Sequence, residues 1–221
     1  MAGLADLGNS LGNSLGNSSM AAEHDQTEAS LRGACEAGDY ERAATLVVEA
    51  YGGELLAFLV ARLRDRSAGE DVLSTVLEKL WVGLPAFAWR CPLRVWAYRL
   101  ARNAANDYLK AVPNQAARRV ALSEHPSQHP VDPSKRTTTA RYRKTENKDR
   151  MRNLRDRLSD DDQMLLVLRI DKDLSFRDLA VAMGECELDE DGLRRQSALL
   201  RKRFERIKGE LRSMAQDEGL I

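Results

Sequence analysis

The sequence predicts an all-α protein made of two small helical domains. Apolar residues recur at the spacing of one helical face in most of the long segments, as Val72, Val76 and Leu80 do. No stretch alternates apolar and polar residues between hairpin signals, as strands would. Four of the six prolines fall within residues 112–136. That concentration is typical of a flexible linker, so we expect two helical domains joined by one.

The composition favours a non-secreted protein without catalysis of its own. Lys+Arg and Asp+Glu both number 34, so only the distribution of charge can indicate a polyanionic partner. The sequence lacks a run of apolar residues long enough to cross a bilayer, and it also lacks a secretory signal. Both absences predict a cytoplasmic protein without membrane insertion. Its three cysteines and three histidines lack ligand spacing, so we expect no metal and no cofactor. We also find no nucleotide-binding or hydrolase motif.

Residues 1–27 are predicted to be a disordered extension. They contain three tandem copies of Leu-Gly-Asn-Ser, which begin at Leu7. So much glycine, asparagine and serine resists a packed core. The folded part of the chain should therefore begin near residue 28.

Residues 28–111 form the first predicted domain, with four helices in succession. The first is short and ends at Gly38. The second is long and apolar, and we expect a bend at Gly52 and Gly53 because glycine weakens a helix interior. A third helix and a proline-bounded loop follow, and the fourth helix extends from Leu93 to Lys110.

The third helix, Ser67 to Trp81, has the sequence SAGEDVLSTVLEKLW. Ser67 and Glu70 stand at the spacing of a capping box, which predicts the start of the helix. Trp81 falls on the apolar face, which should pack into the core. The opposite face is polar and carries Asp71, Ser74, Thr75, Glu78 and Lys79.

Residues 112–137 form the predicted linker, which is net basic together with the residues that follow it. A second helical domain is expected at 138–215, with a short tail at 216–221. Two further capping spacings mark helix starts inside this domain, Ser159 with Asp162 and Ser175 with Asp178.

A helix-turn-helix is predicted in the second domain. A short amphipathic helix ends at Gly184, and after a turn a long helix extends from Leu193 to Met214. Leu193 to Arg212 carries eight basic and two acidic residues, a pattern that is by itself most often a solvated face. The short companion helix favours DNA binding instead. The turn is acidic, and its carboxylates would repel phosphates if they faced DNA: Glu185, Glu187, Asp189, Glu190 and Asp191.

Together the two domains resemble one family, the bacterial RNA polymerase sigma factors of the sigma-70 family, extracytoplasmic-function (ECF) type. EDVLSTVLEKLW, Phe87 and LRVWAYRLARNAANDYL are similar to sigma region 2. LSDDDQMLLVLRIDKDLSFRDLAVAMG resembles sigma region 4, and LDEDGLRRQSALLRKRF resembles its recognition helix, after a turn longer than usual for the family. The resemblance implies a region 2 helical bundle, a region 4 helix-turn-helix and no enzymatic activity.

The resemblance also implies the partners, which are core RNA polymerase, through its β′ clamp helices and β flap, and promoter DNA. Whether an anti-sigma factor binds the chain stays open. The implied polymerase-binding residues are those of the polar face, Asp71, Ser74, Thr75, Glu78 and Lys79.

Two sets of DNA-binding residues follow from the resemblance. Aromatic residues interleaved with basic ones can stack on and hold the melted −10 element. That set is Phe87, Trp89, Arg90, Arg99, Asn103 and Asn106. The −35 set lies at the starts of the two helices of the helix-turn-helix, where side chains reach phosphates and base edges. It comprises Ser175, Arg177, Arg194, Arg195, Gln196 and Ala198.

Three function classes can be distinguished by experiment. A sigma factor supports promoter-specific initiation with core polymerase, whereas a helix-turn-helix operator-binding regulator binds duplex DNA without polymerase. An adaptor or anti-sigma antagonist would use its helices for protein contacts alone. A nucleic-acid-processing enzyme is the least favoured, because the sequence shows no clustered acids of a hydrolytic site and no metal-ligand cluster.

Overall fold

The computed structural model describes residues 14–111, 150, 153–184 and 189–220, with side chains from residue 23 onward. Every regular element within these ranges is a helix, so the predicted all-α fold is confirmed. The predicted linker, residues 112–137, lies outside them.

The first domain contains four α-helices. They are α1 (Ser14–Glu36), α2 (Tyr40–Leu63), α3 (Arg66–Gly83) and α4 (Leu93–Ala111), with a 3₁₀ turn at Leu84–Ala86 between the last two. α2 lies at the centre of the bundle and packs against the other three. Its buried residues include Tyr51, Leu55 and Leu59. By length and composition α2 is the one helix in the described part of the chain that could cross a membrane, but a core helix passes the same test.

The described residues of the second domain, 150, 153–184 and 189–220, contain three α-helices. A helical turn at 153–156 precedes α5 (Asp160–Leu166), which continues as a π-helical segment, Val167–Asp171. The helix-turn-helix follows as α6 (Phe176–Met183) and α7 (Glu190–Asp217). Its core is formed by apolar side chains of all three helices: Leu165, Leu168, Leu179, Ala180, Leu200 and Ile207.

The two domains pack against each other through α4 and α6. Glu54 of α2 accepts two hydrogen bonds from Arg94 of α4, at 2.8 and 3.0 Å, and its carboxylate also lies 3.5 Å from Lys172 of the second domain. Arg94 in turn donates to the backbone carbonyl of Lys172 at 3.1 Å. A second ion pair joins Arg62 of α2 to Asp160 of α5 at 3.0 Å. Polar contacts therefore accompany the helix packing between the domains.

The Glu54 carboxylate is the centre of this interface. Burial acts to raise its pKa, but the hydrogen bonds and charge of Arg94, with the charge of Lys172, outweigh burial and hold the pKa below its usual value. Glu54 is therefore a half-buried anion shared by an arginine of its own domain and a lysine of the other.

The N-terminal extension differs from the sequence prediction. Disorder was expected over residues 1–27, but α1 begins at Ser14, so residues 14–27 are helical. Residues 1–13 lie outside the described residues. The third Leu-Gly-Asn-Ser copy therefore joins a helix that is anchored further along, where Leu31 and Ala34 are buried.

Three other details of the helices differ from expectation. The α3 cap is Asp65, whose carboxylate accepts from the Ala68 backbone N–H at 3.1 Å, rather than the Ser67–Glu70 pair. α2 continues through both glycines without a break in its helical span. α7 begins at Glu190 rather than Leu193, because Asp189 caps it by accepting from the Gly192 N–H at 2.8 Å. The caps predicted at Ser159 and Ser175 are confirmed.

Candidate protein and nucleic-acid interfaces

The polar face of α3 is presented to solvent as a continuous surface. All five residues predicted there are exposed, while Val72, Val76 and Leu80 are buried on the opposite side. The hydroxyls of Ser74 and Thr75 donate to backbone carbonyls one turn earlier, at 3.1 and 3.4 Å. The remaining polar groups of this face are the charged side chains Asp71, Glu78 and Lys79. The face thus presents two acidic groups and one basic group to solvent.

An apolar patch at the end of α3 extends this face. Trp81 and Val82 are 48% and 72% exposed, and Val48 of α2 beside them is 47% exposed. Trp81 and Val48 line a shallow groove of about 480 Å³, together with Glu41, Ala44, Thr45 and Glu49. Exposed apolar side chains rimmed by polar ones mark interaction sites.

The sequence prediction that Trp81 packs into the core is wrong in part, because nearly half of its side chain is exposed. A signal was present in the sequence. Trp81 lies three residues after Glu78 and seven after Ser74, a helical spacing that places it beside the polar face.

The loop between α3 and α4 is built on stacked aromatic rings. Phe87 stacks on Trp96 of α4 with ring centroids 4.7 Å apart, and its edge meets Trp89 at 5.0 Å. The Arg32 guanidinium lies 4.9 Å from the Trp89 ring centroid. Gly83 is required beneath this stack, because a Cβ there would lie 2.8 Å from the Trp96 ring. Arg90 of the same loop is exposed.

Trp89 has a left-handed backbone, with φ of 54°. A bulky residue rarely adopts this conformation, which costs on the order of 1–3 kcal/mol and clusters at binding sites. The neighbouring rings hold the loop in this shape. Trp89 is therefore presented by a strained turn.

Glu28 of α1 fixes the start of α4, a role that the sequence did not indicate. Its carboxylate accepts from the backbone N–H groups of Leu93 and Arg94 at 2.8 and 2.9 Å. It also accepts from the Tyr51 hydroxyl at 3.0 Å. The first N–H groups of a helix otherwise lack partners, so a carboxylate from a distant helix satisfies two of them.

The polar face of α4 lies near the contact between the domains. Arg99, Asn103 and Asn106 are half-buried on it. The Asn106 side-chain oxygen accepts from Arg62 at 3.2 Å, and Arg62 also pairs with Asp160 of the second domain. One of the predicted −10 residues is therefore linked to the interface between the domains.

The predicted −35 residues lie at one end of the helix-turn-helix, but they differ in availability. The Ser175 hydroxyl caps α6, since it accepts from the Asp178 N–H at 3.1 Å and donates to its carboxylate at 2.6 Å. Arg177 donates two hydrogen bonds to Glu190. Arg194 lies 3.7 Å from Asp191. Arg195 and Ala198 are exposed, and Gln196 is half-buried.

Part of the positive charge of α7 is structural. Arg203 and Arg206 bind the buried carboxylate of Asp162 at 2.6 and 3.2 Å. Arg201 lies 5.1 Å from the ring centroid of Phe176. Burial acts to raise the Asp162 pKa, but hydrogen bonds from Arg203 and Ser159, with the arginine charges, hold it below its usual value. The charge count of the sequence therefore overstates what α7 offers to DNA.

The described residues include no group of three or more His, Cys, Asp or Glu side chains that could hold a metal ion. The arrangement is suited to binding through exposed helical faces.

Comparison with known proteins connects this geometry to one family. The family model described as sigma-70 region 2 matches residues 47–112, the span of most of α2, all of α3 and all of α4. A search of curated proteins finds no match. Among solved structures, nine chains match. One is from a structure described as CnrH in complex with the cytosolic domain of CnrY, which is 18% identical, with a TM-score of 0.54, and covers 86% of this chain and 98% of that chain. At this identity the likeness is one of fold.

Proposed function

We propose that this chain, whose residues 47–112 match the sigma-70 region 2 family model, acts as a sigma factor of the ECF type, which binds core RNA polymerase and directs promoter-specific initiation. The observation that carries the proposal is the region 2 match over residues 47–112. That span contains both the exposed face of α3 and the aromatic loop before α4. Sigma factors recognise DNA and have no enzymatic activity, which agrees with the binding surfaces described above.

The exposed α3 face would dock on the β′ clamp helices of core polymerase. Its charged groups, Asp71, Glu78 and Lys79, would pair with opposite charges on that coiled coil. Trp81 and Val82 would add an apolar anchor, the kind of residue that supplies most of the binding energy at an interface. Polar groups would fix the register and the apolar groove would supply affinity.

The loop at Phe87–Trp89 and the polar face of α4 would hold the melted −10 element. Each base stacked on an aromatic ring contributes about 1–3 kcal/mol. Arg90 and Arg99 would neutralise phosphates of the same strand. Support comes from the strained backbone of Trp89 and from the Phe87–Trp96 stack that holds the loop in place.

The second domain would read the −35 element through the first turns of α7, while it rests on the β flap. Arg194, Arg195, Gln196 and Ala198 lie where a recognition helix reaches base edges. Ser175 and Arg177 would contact phosphates, Ser175 through the backbone at the start of α6 because its hydroxyl caps that helix.

Function requires the two domains to separate. The two promoter elements lie about 25 base pairs apart, which is roughly 85 Å at 3.4 Å per base pair. Domains that touch through α4 and α6 cannot reach both elements at once. We therefore propose that the arrangement described here is a closed form, which opens when core polymerase binds.

A protein antagonist is a further proposed partner. The structure that covers most of this chain holds CnrH together with the cytosolic domain of CnrY. An antagonist of this chain would keep it from polymerase until a signal releases it. The purified chain should then transcribe with core polymerase alone and lose this activity when the antagonist is added.

The proposal is tested by transcription reconstituted from core polymerase and the purified chain, with sequencing of the 5′ ends of the transcripts. We expect transcripts that start at a common distance downstream of a shared −35 and −10 pair. An operator-binding regulator would instead bind duplex DNA tightly by itself and would never support initiation. An adaptor would bind β′ and yield no promoter-specific transcripts.

A further inference from the structure

Arg177 and Glu190 connect the two helices of the helix-turn-helix at the end assigned to DNA. Arg177 is the second residue of α6, and Glu190 is the first residue of α7. The guanidinium donates to both carboxylate oxygens, at 2.9 and 2.6 Å. Both side chains are largely exposed, at 52% and 64%. The pair therefore lies on the surface, where a nucleic acid can reach it.

The first turn of α7 also faces a second arginine. Asp191 lies 3.7 Å from Arg194, and the charge of Arg194 also acts on Glu190. The pKa of Arg177 is raised mainly by its hydrogen bonds to Glu190, and the pKa of Glu190 is lowered mainly by the same bonds. Two arginines of the −35 set thus meet acids from the recognition helix itself.

The geometry of this pair is the one that a phosphate would need. Arginine recognises carboxylate and phosphate through the same planar fork of two parallel N–H groups. A DNA phosphate must therefore displace the Glu190 carboxylate from Arg177, and the displaced carboxylate then lies beside the polyanion. Both effects weaken binding to any duplex, whatever its sequence.

A correct base can offset this cost. Glu190 is at the N-terminus of the recognition helix, the part that meets base edges in the major groove. A carboxylate there accepts a hydrogen bond from the amino group of cytosine. Other edges that present only acceptors leave the released carboxylate unsatisfied. The exchange of Arg177 from Glu190 to phosphate is thus favourable at some sequences and not at others.

We propose that Glu190 is a specificity-determining residue of the −35 module, which rests on the proposed sigma-factor function. On duplexes that offer the Glu190 carboxylate no hydrogen-bond donor, Arg177 stays paired with Glu190. Where a base amino group donates to this carboxylate instead, Arg177 is free to bind a phosphate. The −35 module gains selectivity in this way by losing affinity for non-promoter DNA.

The test compares Glu190→Gln, Arg177→Gln and the double variant in the full chain. Equilibrium binding is measured at several salt concentrations, to a duplex carrying the promoter found by 5′-end sequencing and to one with a scrambled −35 element. Asp217→Asn, at the last residue of α7, is the matched control. It makes the same charge change roughly 40 Å away, at 1.5 Å per residue.

Glu190→Gln should tighten binding to the scrambled duplex about two- to fivefold, in the range of other exposed ion pairs. The slope of log Kobs against log salt should steepen by about 0.9, for one additional phosphate contact. Binding to the promoter should gain less, so the specificity ratio should fall. In the Arg177→Gln background the effect of Glu190→Gln should disappear, and Asp217→Asn should behave as wild type.

The inference is overturned if Glu190→Gln leaves binding to the scrambled duplex unchanged. It is equally overturned if the gain persists without Arg177 or is matched by Asp217→Asn, since a general effect of charge would then explain it. Transcription by the wild-type holoenzyme separates this failure from failure of the proposed function. If wild type initiates at promoters, only the role of Glu190 is lost; if it does not, the proposed function fails first.

Discussion

Glu28 illustrates at the residue scale how one carboxylate can position a distant surface. It caps α4 by accepting two backbone N–H groups, and it binds the Tyr51 hydroxyl as well. α4 carries the half-buried residues assigned to the −10 strand. The N-terminal helix therefore has a structural role, since its Glu28 side chain fixes where α4 begins.

Glu28→Ala should destabilise the first domain by roughly 2–3 kcal/mol, because hydrogen bonds to a charged group are lost and two helix N–H groups are left without a partner. Urea unfolding followed by circular dichroism measures this change. Glu36→Ala, at the exposed last residue of α1, serves as the control and should change stability by less than about 0.5 kcal/mol. Equal effects of the two substitutions would contradict the cap.

Asp162 gives the second domain a predictable response to acid. Its pKa lies below the ordinary value in the folded state, so the unfolded chain takes up the proton first as the pH falls. Its contribution to stability is therefore complete above the ordinary pKa of about 3.9, and it is lost as the pH falls through the folded pKa. Asp162→Asn should lower stability at neutral pH and flatten its decline in acid, as measured by thermal unfolding across pH. An unchanged decline would contradict this assignment.

At the scale of elements, the helices were predictable because apolar residues that become buried repeat at helical spacing. The ends of the helices were harder to predict. Ser159 and Ser175 cap as their spacing predicts. Before α3, Asp65 and Ser67 are both good capping residues, and only the backbone decides between them. Asp189 likewise starts α7 one turn earlier than the apolar pattern alone suggests. Local rules propose several starts, and tertiary packing selects one.

The surface features are of two kinds. Those that repeat along one helix can be predicted from the sequence, whereas those that depend on contacts between helices cannot. The exposed α3 face follows from periodicity, and all its predicted residues are exposed. Some ion pairs join residues that are far apart in sequence. Asp162 pairs with Arg203 and Arg206, and Arg177 pairs with Glu190. No spacing rule reports such pairs. Charge counting therefore located the basic helix but not which of its arginines are available.

The apolar end of α3 should be the energetic centre of polymerase binding. Trp81→Ala should weaken binding to core polymerase about tenfold or more, because a half-exposed tryptophan in a groove is a typical hot spot. Trp81→Phe keeps an aromatic ring and should retain most of the affinity. Equilibrium binding to purified core polymerase measures both variants, and melting temperatures check that the fold is intact. Wild-type affinity in Trp81→Ala would exclude this groove from the interface.

At the scale of the whole molecule, three ion pairs among the described residues join the domains, and the longest of them, between Arg64 and Asp156, is at 4.0 Å. The two shorter pairs are those of Lys172 and Asp160. Lys172 reaches Glu54, and Asp160 reaches Arg62. The Lys172→Ala and Asp160→Asn double variant removes both without touching the Arg94–Glu54 pair inside the first domain. We expect a larger radius of gyration in small-angle X-ray scattering, and a similar expansion of wild type in high salt.

The control is Glu205→Gln with Lys208→Ala, which removes an ion pair within α7 alone. It should leave the radius of gyration unchanged. If the interdomain double variant stays as compact as wild type, these two ion pairs have no part in holding the closed form.

The three tryptophans, Trp81, Trp89 and Trp96, all belong to the first domain. Their ultraviolet emission consequently reports on the first domain, because the second domain contains no tryptophan. Trp81 lies on the surface proposed to bind polymerase, and Trp89 lies in the loop proposed to bind unpaired bases. The protein thus contains intrinsic fluorescent probes. Quenching of tryptophan fluorescence, followed in time without any attached dye, would show whether polymerase binds before the DNA strands separate.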